Sequence, residues 1–358
     1  MHSHHSHSGQ FCRHAAPNTT LEQSILAALA RGLTTFGLSE HVPRYRAQDL
    51  YPEESDLTPE DLERAFDEYL AEAHRLKREY AGRIDLLVGA ETDYITPLDL
   101  ERLEALLERC EVEYVVGSVH HVNEQGIDFS ENWWRTCVAG FEPSPSSDND
   151  PKTTPPTTTP SDTALTAYFN TYLDAQHTLL TRIAPPIIGH FDLCRLYIPH
   201  TRTRRRPSIP GQVVAYGGLF EVNAAAFRKG WDAAYPGTEI LQCIIAHRGR
   251  LCLSDDSHGP LAVAQNYPRL RDYLLGRGVT EIWYLASVPR GTSSSEDSPR
   301  ETAGDAEEGG MANPRGLPWS WLSPSRRRVV PRRYEGDWAA DGFWAALEAR
   351  EAEGKMRR

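Results

Sequence analysis

Length, composition and charge limit what this chain can be. Its 358 residues are 40% hydrophobic and 25% charged, which is enough apolar material for a buried core and excludes global disorder. The 50 Asp and Glu residues outnumber the 38 Lys and Arg residues, for a net charge of −12. An excess of negative charge disfavours nonspecific binding to nucleic acid or to a membrane surface.

The sequence carries no evident targeting signal. It contains no apolar run of about 18 residues, and its first residues (MHSHHSHSG) lack the apolar stretch of a signal peptide. The six cysteines are scattered and form no CxxC pair, which is typical of reduced thiols. We therefore expect a cytoplasmic protein with no membrane span and no nucleic-acid partner.

The first 140 residues alternate short apolar runs with amphipathic segments. Thr20 and Gln23 predict a capping box at the start of a helix that Gly32 ends. Thr-Pro pairs at 58–59 and 96–97 predict the starts of two further helices. The apolar runs between these helices predict three buried strands, at Leu33–Leu38, Ile84–Ala90 and Tyr114–Val119.

The same alternation continues in the second half of the chain. Helices are predicted over about 164–183 and 261–275. Strand and helix alternation indicates a parallel sheet with helices outside, and the length suits a (β/α) barrel with insertions. The later predicted strands are Pro186–Gly189, Gly218–Val222, Ile240–Ala246 and, as the last barrel strand, Glu281–Leu285.

Two segments are too poor in large apolar residues to contribute to a core. Residues 143–163 are rich in Pro, Thr and Ser, and residues 290–316 are rich in Gly, Ser and Glu. We predict both to be disordered insertions looped out of one compact domain. The predicted organisation is therefore a barrel over 1–289, the second insertion, and a C-terminal segment over 317–358 that packs on the barrel.

Histidines and carboxylates follow the predicted strands at their carboxyl ends. Nine of the 14 histidines lie within the first 121 residues. In a parallel β/α array the residues just past the strand ends converge on one face, and imidazole and carboxylate are the usual ligands of zinc, manganese and iron. The converging donors are His5, His7, His14, His41, Glu91, His120, His190, Asp256 and His258. Nine donors are too many for one ion, so we predict two or three, with Glu91 as the bridge.

Simpler interpretations of these histidines exist. A single histidine at a strand end is more often a loop or core residue than a ligand, and an N-terminal HxHHxH could trap metal adventitiously. Seven separate strand-end positions in order argue against coincidence. His2 and His4 offer a competing HxH pair, and His121 competes with His120; the spacing to Phe11 and His14 favours His5 and His7.

Seven short motifs in order resemble those of the polymerase-and-histidinol-phosphatase (PHP) family. They span roughly residues 1–285 apart from the Pro/Thr-rich insertion, and the resemblance is strongest to the fungal histidinol-phosphatases of the family. The chain departs from the common pattern at Gln10 and in SDDSH, and neither change removes a ligand. The motifs are HSHSGQFCRHAAPNTTLEQ, FGLSEHVPR, GAETDY, GSVHHVNEQGIDFS, GHFDLCRLY, EVNAAAFRKG and LSDDSHGP.

The resemblance implies an α/β fold, a distorted (β/α)7 barrel, and three divalent metal ions, with zinc as the first choice and manganese or iron as alternatives. It implies one ion at His5, His7, Glu91 and Asp256. It implies a second, bridged by Glu91, at His120 and His190, and a third at His14, His41 and His258.

The activity implied by the resemblance is hydrolysis of L-histidinol phosphate, a small-molecule phosphomonoester, in histidine biosynthesis. Paired divalent ions about 3.5–4 Å apart can clamp the attacking and leaving oxygens of such a reaction, with an activated water near Glu91 as the nucleophile. Arg195 and Arg228 match positions expected to clamp phosphate, because a guanidinium fits phosphate geometry. His121 is a candidate acid for the leaving group.

Three other functions compete with this one. Another PHP phosphoesterase, such as a nucleotide phosphatase or a 3′–5′ exonuclease, shares the architecture, but an exonuclease should have a basic groove with interleaved aromatics. An amidohydrolase-type enzyme also begins with HxH, but Glu91 and the late Asp256-x-His258 pair argue against it. A nonenzymatic metal-binding protein would be expected to lose some of the ligands.

Overall fold

A computed structural model describes residues 1–109, 111–143, 159–201, 208–288 and 328–356 of the chain. Within these ranges the strands are β1 (His2–Ser3), β2 (Ser6–His7), β3 (Thr35–Leu38), β4 (Asp85–Glu91), β5 (Tyr114–Gly117), β6 (His121–Val122), β7 (Gln125–Gly126), β8 (Ile187–Ile188), β9 (Leu219–Asn223), β10 (Arg250–Ser254), β11 (Ser257–His258), β12 (Trp283–Ser287) and β13 (Val329–Arg333).

The three helices with predicted caps begin directly after Thr20, Thr58 and Thr96. The helix predicted over 261–275 begins later, at Tyr267. Thr20 and Gln23 form the predicted capping box, and Gly32 ends that helix in a left-handed conformation. None of the described helices is both long and apolar enough to cross a membrane. The α-helices are α1 (Leu21–Arg31), α2 (Pro59–Glu79), α3 (Pro97–Glu108), α4 (Glu131–Ala139), α5 (Asp162–Ile183), α6 (Ser208–Tyr216), α7 (Ala225–Arg228), α8 (Thr238–Ala246), α9 (Tyr267–Leu275) and α10 (Gly342–Met356).

Seven parallel strands form a nearly closed barrel in the order β1-β3-β4-β5-β8-β9-β10. The two end strands meet, since the Leu253 amide in β10 donates a 3.0 Å hydrogen bond to Nε2 of His2 in β1. This confirms the predicted distorted seven-stranded (β/α) barrel. All carboxyl ends of the barrel strands therefore open on one face, where such barrels carry their sites.

Tyr114 is the largest buried side chain of an apolar cluster formed by residues of the barrel strands, β12 and β13, and glycines on neighbouring strands leave room for its ring. A Cβ on Gly89 would lie 2.3 Å from the Tyr114 ring, and a Cβ on Gly37 would lie 2.1 Å from its hydroxyl. The hydroxyl donates a 2.8 Å hydrogen bond to the His4 carbonyl. The two glycines thus leave the space that one large buried side chain occupies.

Two of the predicted strands are wrong. Residues 240–246 lie in helix α8, where Ile240, Leu241 and Ile244 are buried at helical spacing. A short apolar run cannot distinguish a buried strand from a buried helix by periodicity alone, and here the helix is the outcome. The predicted strand Glu281–Leu285 is also displaced: β12 begins at Trp283 and is not a barrel strand.

Strand β12 instead closes the amino-terminal end of the barrel. It pairs antiparallel with β13, outside the seven-stranded sheet. Leu285 and Val329 pack with Tyr114 and other barrel residues in one apolar cluster. The Leu285 amide donates a 3.0 Å hydrogen bond to Nε2 of His4. His4 therefore helps to attach β12 to the barrel.

The predicted insertions fall mostly outside the described residues. The insertion at 290–316 lies wholly outside them, and within 143–163 only residue 143 and residues 159–163 are described. Helix α5 begins at Asp162, inside the range predicted to be disordered, because Ser161 accepts a hydrogen bond from the Ala164 amide as its N-cap. In the C-terminal segment, Trp344 of α10 is buried with its ring centroid 6.3 Å from that of Tyr267.

Candidate metal centre

Glu91, the last residue of β4, is the common neighbour of the donor side chains. Its carboxylate is 1% exposed, and Nε2 of His5 lies 3.0 Å from its Oε1 while Nε2 of His7 lies 3.2 Å from its Oε2. After β1 the chain leaves the seven-stranded sheet and β2 pairs with β11, and the imidazoles of His5 and His7 are fully buried beside Glu91. One carboxylate thus faces two imidazoles with its two different oxygens.

Two further imidazoles approach Glu91 from the next strands of the barrel. Nε2 of His190, just after β8, lies 2.9 Å from Glu91 Oε1, and Nε2 of His120, after β5, lies 3.4 Å from the same oxygen. The two histidine nitrogens are 3.3 Å apart. Strands adjacent in the sheet therefore deliver adjacent donors.

Asp256 completes the group around His5 and His7. Its Oδ1 lies 3.5 Å from Nε2 of His5 and 3.4 Å from Nε2 of His7. Asp256 has a positive φ of 47°, a left-handed conformation that non-glycine residues seldom adopt and that marks functional turns. The turn leads into β11, which pairs with β2 in a register that sets His258 opposite His7.

A third group of donors lies at the outer edge of the centre. Nε2 of His14 is 3.1 Å from Nε2 of His41, and these two rings and that of His258 offer donor atoms within 4.8 Å of one another. Nδ1 of His41 also lies 3.2 Å from Glu91 Oε2. All nine predicted donors therefore converge on one region at the carboxyl ends of the strands.

Buried carboxylates that the sequence reasoning missed hold the imidazole rings from behind. Glu221 Oε2 lies 3.1 Å from Nδ1 of His5, and Asp93 Oδ1 lies 2.9 Å from Nδ1 of His120. Such contacts fix the ring orientation of a metal-binding histidine and raise its basicity. A signal was available: Glu221 is a lone carboxylate in an apolar strand (GLFEV), and a buried charge needs a partner.

The charges and protonation states of these groups suit cations. Burial opposes ionisation of Glu91, but the surrounding histidines hold its pKa well below the ordinary value, so the carboxylate is ionised. Burial lowers the pKa of His14 and His41, and lowers that of His258 to about 4. These three imidazoles are therefore neutral near pH 7 and keep a nitrogen lone pair for a metal ion.

The donor set passes a direct test of fit to divalent ions. Nε2 of His5 and both ring nitrogens of His7 are buried and make no hydrogen bond within the described part of the chain. Unsatisfied buried nitrogens are costly, and a cation between them and the nearby carboxylate oxygens would satisfy them. Nitrogen and oxygen donors of this kind are those that zinc, manganese and iron use.

The competing histidines are placed elsewhere by their hydrogen bonds. His2 and His4 accept backbone N–H bonds from β10 and β12 at the closed end of the barrel. His121 lies on β6 beside the Tyr51 ring, at a centroid distance of 6.1 Å. His121 is not among the residues that line the central cavity. Burial lowers its pKa to about 4, which disfavours the protonated form that a leaving-group acid needs, and its role as that acid stays a prediction.

Arg195 is likewise not placed as a phosphate clamp. Its guanidinium donates to the Asp192 carboxylate at 3.2 Å and to the Pro199 carbonyl, and it stacks on Trp231 at 5.7 Å. Two of its guanidinium nitrogens are thus engaged inside the protein, its Nε is buried with no hydrogen-bond partner in the described residues, and Arg195 is absent from the cavity lining. In the structure Arg195 contacts the loop after β8, and its role as a phosphate clamp stays a prediction.

An open cavity of about 390 Å³ lies over the donor cluster. Arg228 lines it, with its guanidinium anchored by 2.7 Å hydrogen bonds to the Asp255 and Asp256 carbonyls, and Lys229 follows on the same wall. Asp128 and Tyr235 also line the cavity, and Asp128 Oδ1 and Tyr235 Oη are buried with no hydrogen-bond partner in the described residues. The cavity thus combines cationic and anionic groups within reach of the donor cluster.

Comparisons with known proteins agree with this geometry. The chain is 40% identical over 302 residues to "Probable histidinol-phosphatase" of Schizosaccharomyces pombe, which covers 82% of this chain and 92% of that protein. It is 29% identical to "Histidinol-phosphatase" of Saccharomyces cerevisiae, over 82% and 93% of the two chains.

A solved structure shares the fold. The histidinol phosphate phosphatase of Lactococcus lactis, in complex with zinc, L-histidinol and phosphate, superposes with a TM-score of 0.51 at 17% identity. The match covers 79% of this chain and 95% of that one. The family model described as "PHP domain" matches residues 3–227. With its barrel, its converging donors and this match over most of its length, the chain belongs to the PHP-domain family.

Proposed function

We propose that this protein is a histidinol-phosphate phosphatase that hydrolyses L-histidinol phosphate to L-histidinol and phosphate. One observation carries the proposal: nine metal-type donors cluster at one cavity, seven of them in its lining, and that cavity also has a cationic wall and an unpartnered carboxylate oxygen. The names of the two fungal relatives support it. In this proposal the enzyme is cytoplasmic, serves histidine biosynthesis and acts on a small molecule.

The proposed cofactors are three divalent ions, with zinc first and manganese or iron as alternatives. His5, His7, Glu91 and Asp256 would hold the first, and Glu91 would share a second with His120 and His190. The remaining imidazoles, His14, His41 and His258, would hold the third. Bound ions would supply positive charge that polarises the phosphoryl oxygens and favours a hydroxide nucleophile.

The chain itself positions the phosphate. The two carbonyl contacts of Arg228 fix its guanidinium at the cavity wall before substrate arrives, and preorganised charge is worth more than charge that must reorganise. Lys229 adds a second cation on that wall. The Tyr235 hydroxyl is uncharged, because burial raises its pKa well above the ordinary value, so it can donate a hydrogen bond to a phosphate oxygen.

Asp128 is the proposed recognition group for the rest of the substrate. L-histidinol phosphate carries an amine and an imidazole, both of which can be cationic. Asp128 Oδ1 is buried without a hydrogen-bond partner among the described residues, and a hydrogen bond to a charged group contributes about 1.5–3 kcal/mol. A cationic amino alcohol would therefore satisfy this oxygen, whereas a phosphomonoester lacking a cation would leave it unpaired.

The direct test is phosphate release from L-histidinol phosphate beside a panel of nucleotides and sugar phosphates. We expect L-histidinol phosphate to give the highest kcat/KM, and we expect a chelator to abolish turnover and added zinc or manganese to restore it. Faster turnover of nucleotides would overturn the proposal and favour another PHP phosphoesterase. Full activity after exhaustive chelation would overturn the metal-dependent mechanism.

A further inference from the structure

A cysteine lies among the histidines of the outer donor group. Sγ of Cys12 is 3.1 Å from Nε2 of His14, and that nitrogen is itself 3.1 Å from Nε2 of His41. Sγ of Cys12 and one ring nitrogen each of His7 and His41 also lie within 4.8 Å of one another. Donor atoms of one tetrahedral zinc are about 3.5 Å apart, so the sulfur is close enough to share a cation with these nitrogens.

The local backbone holds the thiol in this position. Residues 8–15 form a tight loop between β2 and α1, in which the Cys12 amide donates to the Ser8 carbonyl at 3.0 Å and the Cys12 carbonyl accepts from the Ala15 amide at 3.2 Å. Cys12 is 7% exposed. The thiol is therefore fixed by the fold, and the loop delivers it to the same side as His14.

A second observation points to a ligand at this place. His7 is 1% exposed, and both of its ring nitrogens are buried with no hydrogen-bond partner in the described residues. One of them belongs to the donor group that includes the sulfur. An S–H···N hydrogen bond from Cys12 to His14 would account for that one contact, and it does not account for the nitrogens of His7 and His41 that lie within 4.8 Å of the same sulfur.

We propose that Cys12 is a thiolate ligand of the outermost metal ion, together with His14 and His41, and that it biases this position toward zinc. The inference rests on the proposed metal centre and adds a residue to it. The thiol proton is released to solvent as the ion binds. Thiolate is a soft ligand that favours zinc, whereas imidazole and carboxylate also accommodate manganese and iron.

The test is the absorption spectrum of the full chain after its metals are replaced by cobalt(II). A cysteine ligand gives a sulfur-to-cobalt charge-transfer band in the near ultraviolet. We expect that band in the wild-type protein, its loss in Cys12→Ser, and its retention in Cys243→Ser. Cys243 is the matched control, because its sulfur lies 3.8 Å from Nδ1 of His247, a cysteine–histidine pair elsewhere in the fold.

A second readout is the zinc that each protein retains during dialysis against a competing chelator. Loss of one ligand should weaken binding of one ion about 10- to 100-fold or more, so Cys12→Ser should release one zinc per chain at a correspondingly lower chelator concentration. The ratio of the dissociation constants for manganese and zinc at this position should also be smaller in Cys12→Ser than in the wild-type protein. Circular dichroism and thermal unfolding of the loaded proteins show whether Cys12→Ser is folded, and Cys12→Ala serves if it is not.

The outcomes separate this inference from the proposed function. Absence of the band in the wild-type protein overturns the inference without any variant, and so does its retention in a folded Cys12→Ser protein. Neither readout uses a substrate. A protein that shows the band but does not hydrolyse L-histidinol phosphate would overturn the proposed function and leave the thiolate ligand standing.

Discussion

Glu91 carries a buried negative charge that either protonated histidines or bound cations must balance. Four imidazole nitrogens, from His5, His7, His41 and His190, lie within 3.2 Å of its two oxygens. Burial opposes protonation of His5 and His7, but the carboxylates around them raise the pKa of both well above the ordinary value. A buried charge without a counter-charge costs several kcal/mol. Divalent ions between the oxygens and the nitrogens would remove that cost, which makes Glu91 the residue on which the centre depends.

Glu91→Gln should therefore abolish turnover while the chain stays folded. The amide keeps the size of the side chain but loses the charge that two ions would share, so we expect kcat to fall more than about 100-fold. Activity assays and elemental analysis check this, with Glu68→Gln on the exposed face of α2 as the control. A near-normal kcat in Glu91→Gln would contradict the bridging role.

Asp128→Asn should change which phosphomonoesters are hydrolysed. The amide cannot pair with a cationic amine or imidazole, so we expect kcat/KM for L-histidinol phosphate to fall about 10- to 100-fold. Hydrolysis of glycerol phosphate, which lacks a cation, should be almost unchanged and serves as the internal control. Equal losses for both substrates would show that Asp128 acts on phosphate or on stability and not on recognition.

At the scale of the elements, the register of β3, β4 and β5 decides whether Glu91 reaches the centre. Gly89 lies two residues before Glu91, on the same strand and face, where it leaves room for the Tyr114 ring. The Tyr69 hydroxyl, from α2, lies within hydrogen-bond distance of the carbonyls of both Leu38 and Gly89, at 2.8 and 2.7 Å. Helix α2 thus holds β3 and β4 together near their carboxyl ends, just before the residues that belong to the metal centre.

Gly89→Ala should destabilise the barrel. The added methyl would lie 2.3 Å from the buried Tyr114 ring, and overpacking of this kind costs about 1–3 kcal/mol. Chemical denaturation gives the free energy of unfolding. Gly211→Ala is the control, because a Cβ there meets nothing within 4 Å and Gly211 lies in helix α6, where alanine is favoured. Equal free energies of unfolding for the two variants would show that the Tyr114 ring can shift to accommodate the added methyl group at little cost.

At the scale of the whole molecule, one end of the barrel carries the metal centre and the other end is covered by packed structural elements. The carboxyl ends of the strands carry the donors, and the amino ends are covered by β12, β13 and α10. A second cavity of about 650 Å³ lies there, lined by Thr35 and Asp85 at the starts of β3 and β4 and by Phe343 and Arg350 of α10. Stability and chemistry can therefore be changed separately.

Trp344→Ala should lower stability and leave the chemistry intact. Trp344 is 1% exposed and donates a 2.6 Å hydrogen bond to the Trp338 carbonyl, and truncation of such a residue costs about 3–5 kcal/mol. The expected result is a lower melting temperature with unchanged kcat/KM at low temperature. Leu275→Ala, at a 46% exposed position, should change neither. A loss of kcat/KM in folded Trp344→Ala would show that the two ends are coupled.

The sequence by itself determined the local features whose causes are local. The helix starts at Thr20, Thr58 and Thr96 follow from side-chain caps and proline within a few residues. The strands that end at metal-type donors could be predicted because parallel strands place such residues on one face. The family motifs, read in order, predicted the barrel and the nine donors.

Only the tertiary structure decided which side chains meet and which do not. Arg195 and His121 have the right chemistry in the right motifs, yet Asp192 engages the first and β6 places the second beside Tyr51. The apolar run at 240–246 is too short for periodicity to separate a helix from a strand. The run at 281–285 does not show which sheet its strand joins, and the structure pairs it with β13 outside the barrel. Distances between residues far apart in the chain, such as Cys12 and His41 or Asp256 and His5, depend on closure of the barrel, which no local pattern encodes.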